Sequence, residues 1–305
     1  MSVIQRTSQI KIILRGFFIL CPLIIFLSCA TVSPVNLARE NPEVFSSLGD
    51  VRPHWQAFTD NIGYYHGKIA DPKLEFWALK IDLRAPDTRI VVSGGQADGE
   101  DAFSAKVSTF VRNNSLAAGI NAVPFDTASA AENRPIKNIG VVISGGSLVS
   151  PAVPRYDALV FYAGGRAAIV NQSALNSAEG IENAVGGFYQ ILAYGEPAER
   201  VLSGEARHPR SAAGISADGE CLFLLVVDGR RPGSIGSTEK ETALILRSLG
   251  AWDGINFDGG GSSALVLRYP DGSIKPVNTP IHDGIPGLER AVAGCIGIVS
   301  PSTEK

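Results

Sequence analysis

Eight consecutive residues, Asn256-Phe257-Asp258-Gly259-Gly260-Gly261-Ser262-Ser263, bring an acid, three glycines and two hydroxyls together. Three glycines in a row cost backbone entropy and add nothing to a core, so the spacing predicts that something approaches this backbone closely. Without β-carbons, successive N–H groups can converge on an anion, and Ser262 and Ser263 add hydroxyls suited to phosphate or sugar oxygens. Asp258 stands at the mouth of the turn. Beside a bound anion its carboxylate must be protonated, bridged by a metal or aimed at a neutral part of the ligand.

Other segments supply complementary types. His208-Pro209-Arg210 puts an imidazole and a guanidinium just before a strand-like run, and a guanidinium fork suits phosphate. Asp228-Gly229-Arg230 closes the apolar run Leu222 to Val227, where site residues often emerge, although a plain turn has the same composition. Glu241 is either a site carboxylate or a helix cap, and Asn121 either a turn residue or a sugar-binding amide. Two better-known chemistries fit poorly. Gly259 to Ala264 matches a G-x-G-x-x-A dinucleotide fingerprint, yet a strand pattern follows where that site needs a helix. A serine triad through Ser262 and His208 lacks the G-x-S-x-G elbow.

The elements that must position these residues read mostly as short strands. Apolar runs cover Leu74 to Leu83, Thr88 to Ser93, Leu116 to Asn121, Ile255 to Phe257, Leu265 to Tyr269 and Ala291 to Val299. Hairpins turn at Ser144-Gly145-Gly146, Gly164-Gly165 and Ala217-Asp218-Gly219. Ser104 to Asn113 has helical spacing. A second helix, Glu239 to Leu249, is bounded by a Thr238/Glu241 capping box and by Gly250. With 33 glycines and 18 prolines dispersed along the chain, the domain reads as β-rich.

Composition narrows the setting. With 305 residues and 45% apolar side chains the chain can bury a full core, and a net charge of -3 offers no basic field for nucleic acid. Arg6, Lys11 and Arg15 precede the apolar run Gly16 to Leu27, which is short for a membrane span and reads as a signal peptide over residues 1–30. Ser28-Cys29-Ala30 allows cleavage after Ala30 or lipoprotein processing with lipidation of Cys29, and a retained anchor helix is the third ending. Each places the protein outside the cytoplasm, in the cell envelope or periplasm or secreted, with a membrane link only through the anchor. Residues 31–60 read as a tether and 61–300 as the folded domain. Cys221 and Cys295 lie in strand-like stretches and read as buried thiols, a disulfide being the alternative.

Taken together, His208 to Ala212, Val227 to Arg230, Glu241 with Leu249-Gly250-Ala251, and Asn256 to Ser263 resemble the phosphodiester glycosidase family in order and spacing. Asn121-Ala122, Asn278-Thr279-Pro280 and Glu289 to Val292 extend the resemblance. Val123-Pro124-Phe125 lacks the family's second aromatic, and Ala264 stands where threonine is common. The resemblance implies an α+β domain with a central mixed or antiparallel sheet and few helices. It implies hydrolysis of a sugar phosphodiester at the anomeric carbon, with an α-linked N-acetylglucosamine 1-phosphodiester, or an envelope glycan carrying one, as substrate. On that reading Asp258, Glu241, Asp228 and His208 are the catalytic candidates, in that order for the carboxylates. Asn121, Arg210, Arg230, Asn256, Gly259, Gly260, Gly261, Ser262 and Ser263 bind substrate. The sequence identifies no definite cofactor; a divalent cation beside Asp258 is compatible, without a ligand cluster that demands one. The competing reading is a non-catalytic envelope lipoprotein that binds a glycan or sugar phosphate.

Overall fold

A computed structural model of the chain describes residues 42–93 and 102–300. The leader, the Cys29 processing site and the first part of the tether lie outside the described residues.

Strands are numbered along the chain. The largest sheet has nine: β1 (Glu43–Phe45), β2 (Gln56–Thr59), β3 (Ile62–Ile69), β4 (Leu74–Asp82), β14 (Tyr189–Ala193), β15 (Glu196–Pro197), β16 (Arg210–Ile215), β17 (Cys221–Val227) and β18 (Asp253–Asn256). Their order is β1-β3-β4-β17-β16-β18-β14-β15, with β2 beside β3. A second sheet runs β10-β9-β13-β11-β12 and comprises β9 (Val142–Ser144), β10 (Ser147–Ser150), β11 (Asp157–Tyr162), β12 (Arg166–Asn171) and β13 (Ile181–Gly186). A third, ordered β20-β19-β7-β23-β5, is built from β5 (Arg89–Val92), β7 (Ala118–Asn121), β19 (Leu265–Arg268), β20 (Ile274–Pro276) and β23 (Cys295–Val299). Two small ribbons pair β6 (Ala102–Phe103) with β8 (Pro135–Ile136), and β21 (Ile281–His282) with β22 (Ile285–Pro286). The α-helices are α1 (Val107–Asn113) and α2 (Glu239–Leu249). Among the described residues every pair of strands is antiparallel except β1 with β3, so the expected α+β architecture with a mixed sheet is what forms.

Layering explains the unbroken apolar run in β17. Leu222, Leu224 and Val226 face one core shared with the second and third sheets, through Leu159, Val185, Ile120 and Ile296. Phe223, Leu225 and Val227 face the other, against Leu246 and Leu249 of α2. A strand covered on both faces needs no polar alternation. The helix sits close because β16 and β18 carry glycines beneath it: a β-carbon on Gly214 would stand 2.5 Å from Ala251, and one on Gly254 2.7 Å from Leu246.

Two expectations change. The tether ends earlier than residue 60, since Glu43 to Phe45 already pair with Gly67 to Ile69 and Gln56 to Thr59 pair with β3. The last strand is shorter than Ala291 to Val299, because Ala291 and Val292 form single bridges to Ser129 and Ala105. Cys221 and Cys295 are free thiols, and burial pushes Cys295 up to about 12. No described helix is long and apolar enough to cross a membrane.

Candidate active site

Antiparallel pairing brings the start of β16, the end of β17 and the end of β18 to one edge. Arg210 opposes Val227 and Ala212 opposes Asn256, so the three motifs that leave these strands meet there. From the third sheet β7 contributes Asn121, opposite Cys295 of β23. Its Nδ2 donates to the Asp258 carbonyl at 2.6 Å, while its Oδ1 accepts from Ser211 Oγ at 2.7 Å and from Ala264 N–H at 3.2 Å. Asn121 is fully buried and acts here as a clamp on the Asp258 peptide.

The glycine turn answers the question its composition raises. A β-carbon on Gly259 would stand 2.8 Å from the Pro209 carbonyl, one on Gly260 3.0 Å from the Arg230 guanidinium, and one on Gly261 2.5 Å from the Arg290 guanidinium. Gly260 also takes φ of +61°, a left-handed conformation that side chains disfavour. What approaches the backbone is therefore the protein's own carbonyl and two arginines. The expected backbone anion nest is largely used up: Gly260 N–H donates to Pro209, Ser262 N–H to Gly259 and Ser263 N–H to Gly260. The groups above the turn that remain suited to an anion are the guanidiniums.

A cleft of about 280 Å³ lies over this turn, lined by Gly259, Gly260, Gly261 and Pro209. Its remaining walls are cationic or titratable: His208, Arg210, Arg230 and Arg290. Arg230 is exposed and makes no hydrogen bond or ion pair among the described residues. Arg210 is buried and partly committed, donating to the Ser237 and Ala206 carbonyls and to Glu239 at 3.4 Å. Arg290 donates to His282 Nδ1 at 3.0 Å and to Ser262 Oγ at 3.2 Å, which requires His282 to carry its proton on Nε2, facing Asp283. Burial, followed by the charges of Arg210 and Arg230, lowers the His208 pKa, so a neutral imidazole at the rim can accept or pass on a proton.

The carboxylates separate by environment. Asp258 is half-buried, yet its carboxyl is crowded by protein; that burial raises it to about 6 against hydrogen bonds from Ser262 and Gly259 N–H and the charge of Arg290. Asp228 is buried and fully engaged: Arg231 donates twice to Oδ2, and Asn278 Nδ2 and Thr279 N–H reach the carboxylate at 3.1 Å. Glu241 forms the capping box on α2 and a two-point ion pair with Arg207 at 2.6 and 2.7 Å. None of the three lines the cleft; Asp258 stands directly before its Gly259 wall, whereas Asp228 and Glu241 are held by Arg231 and Arg207. Ser262 and Ser263 are buried beneath the turn, and Asn256 Oδ1 and Ser263 Oγ are buried without a hydrogen-bond partner. Among the described residues no group of three His, Cys, Asp or Glu side chains could hold a metal ion.

Arg290 is the cleft residue absent from the sequence-based candidates. Its segment carries one of the weaker family echoes, but an arginine before an apolar run has no local signature that aims it at a turn 29 positions earlier. Glu239, which contacts Arg210, was hidden in the same way by its place in the first turn of α2.

Known proteins share this arrangement of elements. The zebrafish N-acetylglucosamine-1-phosphodiester alpha-N-acetylglucosaminidase catalytic domain superposes with a TM-score of 0.60 at 18% identity, over 82% of this chain and 89% of that one. A hypothetical protein from Synechocystis gives 0.60 at 15% identity over 82% of this chain, which spans 64% of its length. A Burkholderia pseudomallei protein gives 0.54 at 16% over 74% of each chain. At such identities the likeness is one of fold. No curated protein matches the sequence. The model of the phosphodiester glycosidases, by contrast, matches residues 114–299, which span the glycine turn, the arginine segments and the closing strand, and so more than half of the chain: this protein belongs to the phosphodiester glycosidase family.

Proposed function

We propose that this chain hydrolyses the bond between a sugar's anomeric carbon and a phosphodiester, with Asp258 as the reacting carboxylate. One observation carries the reading. Of the three candidate carboxylates, only Asp258 is free of an arginine ion pair, and it opens the turn on which Arg230 and Arg290 converge.

Chemistry at this site needs little beyond those groups. Arg230 and Arg290, with Arg210 behind them, hold the phosphate and neutralise the charge that grows on its oxygen as the C1–O bond breaks. Because phosphate leaves as a weakly basic anion, a second carboxyl acid is dispensable. Ionised Asp258 either attacks C1 or takes a proton from the attacking water, and the products are free sugar and a phosphomonoester. Ser262, bonded to both Asp258 and Arg290, fixes the carboxylate relative to the phosphate clamp. We take an α-linked N-acetylglucosamine 1-phosphodiester as the substrate class and an exported, envelope setting as the location. The zebrafish relative's name supports the first and the leader with Cys29 supports the second.

The test is sugar release from such a phosphodiester, with wild type compared against Asp258→Asn. A fall of about a hundred- to ten-thousand-fold in a folded variant is expected for loss of a reacting carboxylate. Folded wild type without turnover on a panel of sugar phosphodiesters, with and without divalent metal, would replace this reading with a glycan-binding one.

A further inference from the structure

A second cavity, of about 790 Å³, lies at the other end of the sheets from the glycine turn. β16 runs from Arg210 in the cleft to Ile215, and the turn beyond it packs Gly219 on Ala167, beside the cavity wall at Arg166. The volume falls within the roughly 300–1,000 Å³ of small-molecule sites. It is nearly three times that of the cleft. The walls include Ile90, Phe161 and Ile181, and three arginines, Arg84, Arg89 and Arg166, stand at the rim. Among the described residues Glu182 is the one acidic lining residue.

Two of the arginines already show what the rim accepts. Arg84 donates to both carboxylate oxygens of Glu220, at 3.1 and 3.2 Å, and Arg166 reaches the same carboxylate at 3.3 Å. Glu220 is only the internal half of that arrangement, since both arginine side chains remain more than 60% exposed, at 62% and 65%. Arg89, at the start of edge strand β5, is exposed, and its side chain makes no hydrogen bond or ion pair among the described residues. Guanidinium forks beside an apolar wall suit a carboxylate carried on a ring with an apolar face.

We propose that this cavity is a second, non-catalytic site for an acidic oligosaccharide bearing carboxylates. It rests on the glycan reading of the cleft only for the choice of a saccharide over another carboxylate. The cleft has room for little more than the sugar phosphate being cut. A glycan long enough to reach from Arg89 to the cleft is retained on the protein, because a second contact on one molecule raises effective concentration.

Binding tests this without reference to turnover, so it can fail or stand independently of the catalytic reading. Tri-galacturonic acid is titrated calorimetrically into the full chain, with neutral maltotriose as control, for wild type, Arg89→Gln, Arg166→Gln and Arg230→Gln. Saturable binding of the acidic trisaccharide alone is expected, weakened about tenfold by Arg89→Gln or Arg166→Gln and unchanged by Arg230→Gln. Absence of saturable binding, equal binding of maltotriose, or loss on Arg230→Gln with Arg89→Gln unaffected would overturn the proposal. Arg89 and Arg166 are exposed, so their replacement leaves the core intact.

Discussion

At the scale of the residue, Asp258 combines two properties that pull in opposite directions. It must be ionised to act on C1, yet its surroundings raise it to about 6 from 3.8, with burial as the largest cause. The unfolded chain therefore loses its proton first. Between about pH 4 and 6 this group's contribution to stability falls as pH rises, and above 6 the whole penalty is present. Asp258→Asn removes the penalty, so the variant should unfold at a higher temperature than wild type at pH 7, by an amount corresponding to about 2–3 kcal/mol, with the gain vanishing near pH 4. Calorimetry at the two pH values measures it. On the acid side, kcat/KM should decline below a midpoint near 6 as the carboxylate takes up its proton. A flat profile from pH 5 to 8 would remove Asp258 from the reacting role.

At the scale of the element, Glu241 is engaged by the helix whose first turn it occupies. Helix α2 starts where Thr238 Oγ1 accepts from Glu241 N–H at 3.1 Å and Glu241 returns a carboxylate oxygen to Thr238 N–H at 2.9 Å. Gly250, at φ of +110°, stops it. The carboxylate that looked available in sequence is thus occupied by its own helix and by Arg207. Glutamine can still close a capping box, so Glu241→Gln should cost about 1 kcal/mol through the lost ion pair and weaker cap while leaving kcat within about twofold. Urea denaturation beside the sugar-release assay reads both. A hundredfold loss of kcat at unchanged stability would restore Glu241 to the chemistry.

Across the whole molecule, Asp228 ties together segments that are remote in the chain. It holds Arg231, Thr279 N–H and Asn278, and Asn278 in turn grips the Ser263 carbonyl and Leu265 N–H. Arg231 continues the network to Glu75, which hydrogen bonds from His66, Lys68 and Arg231 bring down to about 2 despite its burial. That hub fixes the loop presenting Arg230 against the end of the glycine turn. Breaking a buried ion pair from one side typically costs about 3–5 kcal/mol, and Glu75 retains part of the partnership, so Asp228→Asn should lose about 3 kcal/mol in denaturant titration. Its residual activity should keep the acid limb near pH 6, a signature that Asp258→Asn cannot show.

Local structure was legible because it is encoded over a few residues. The turn glycines, the apolar run of β17, the capping box and the Gly250 stop act on their immediate neighbours, and the α+β class follows from them. The leader reading concerns residues outside those described and stands as an expectation. Only tertiary structure decided which charges are spent. Asp228 and Glu241 have the composition of site acids, but partners delivered by folding, Arg231 with the Asn278 loop and Arg207, occupy them. Arg290 reaches the cleft because the segment before β23 folds back over Gly261. β4 finds β17 across more than a hundred intervening residues. Spacing along a chain specifies propensity and capping. The free energy of a buried charge depends on what long-range packing places beside it, and short spacings do not carry that information.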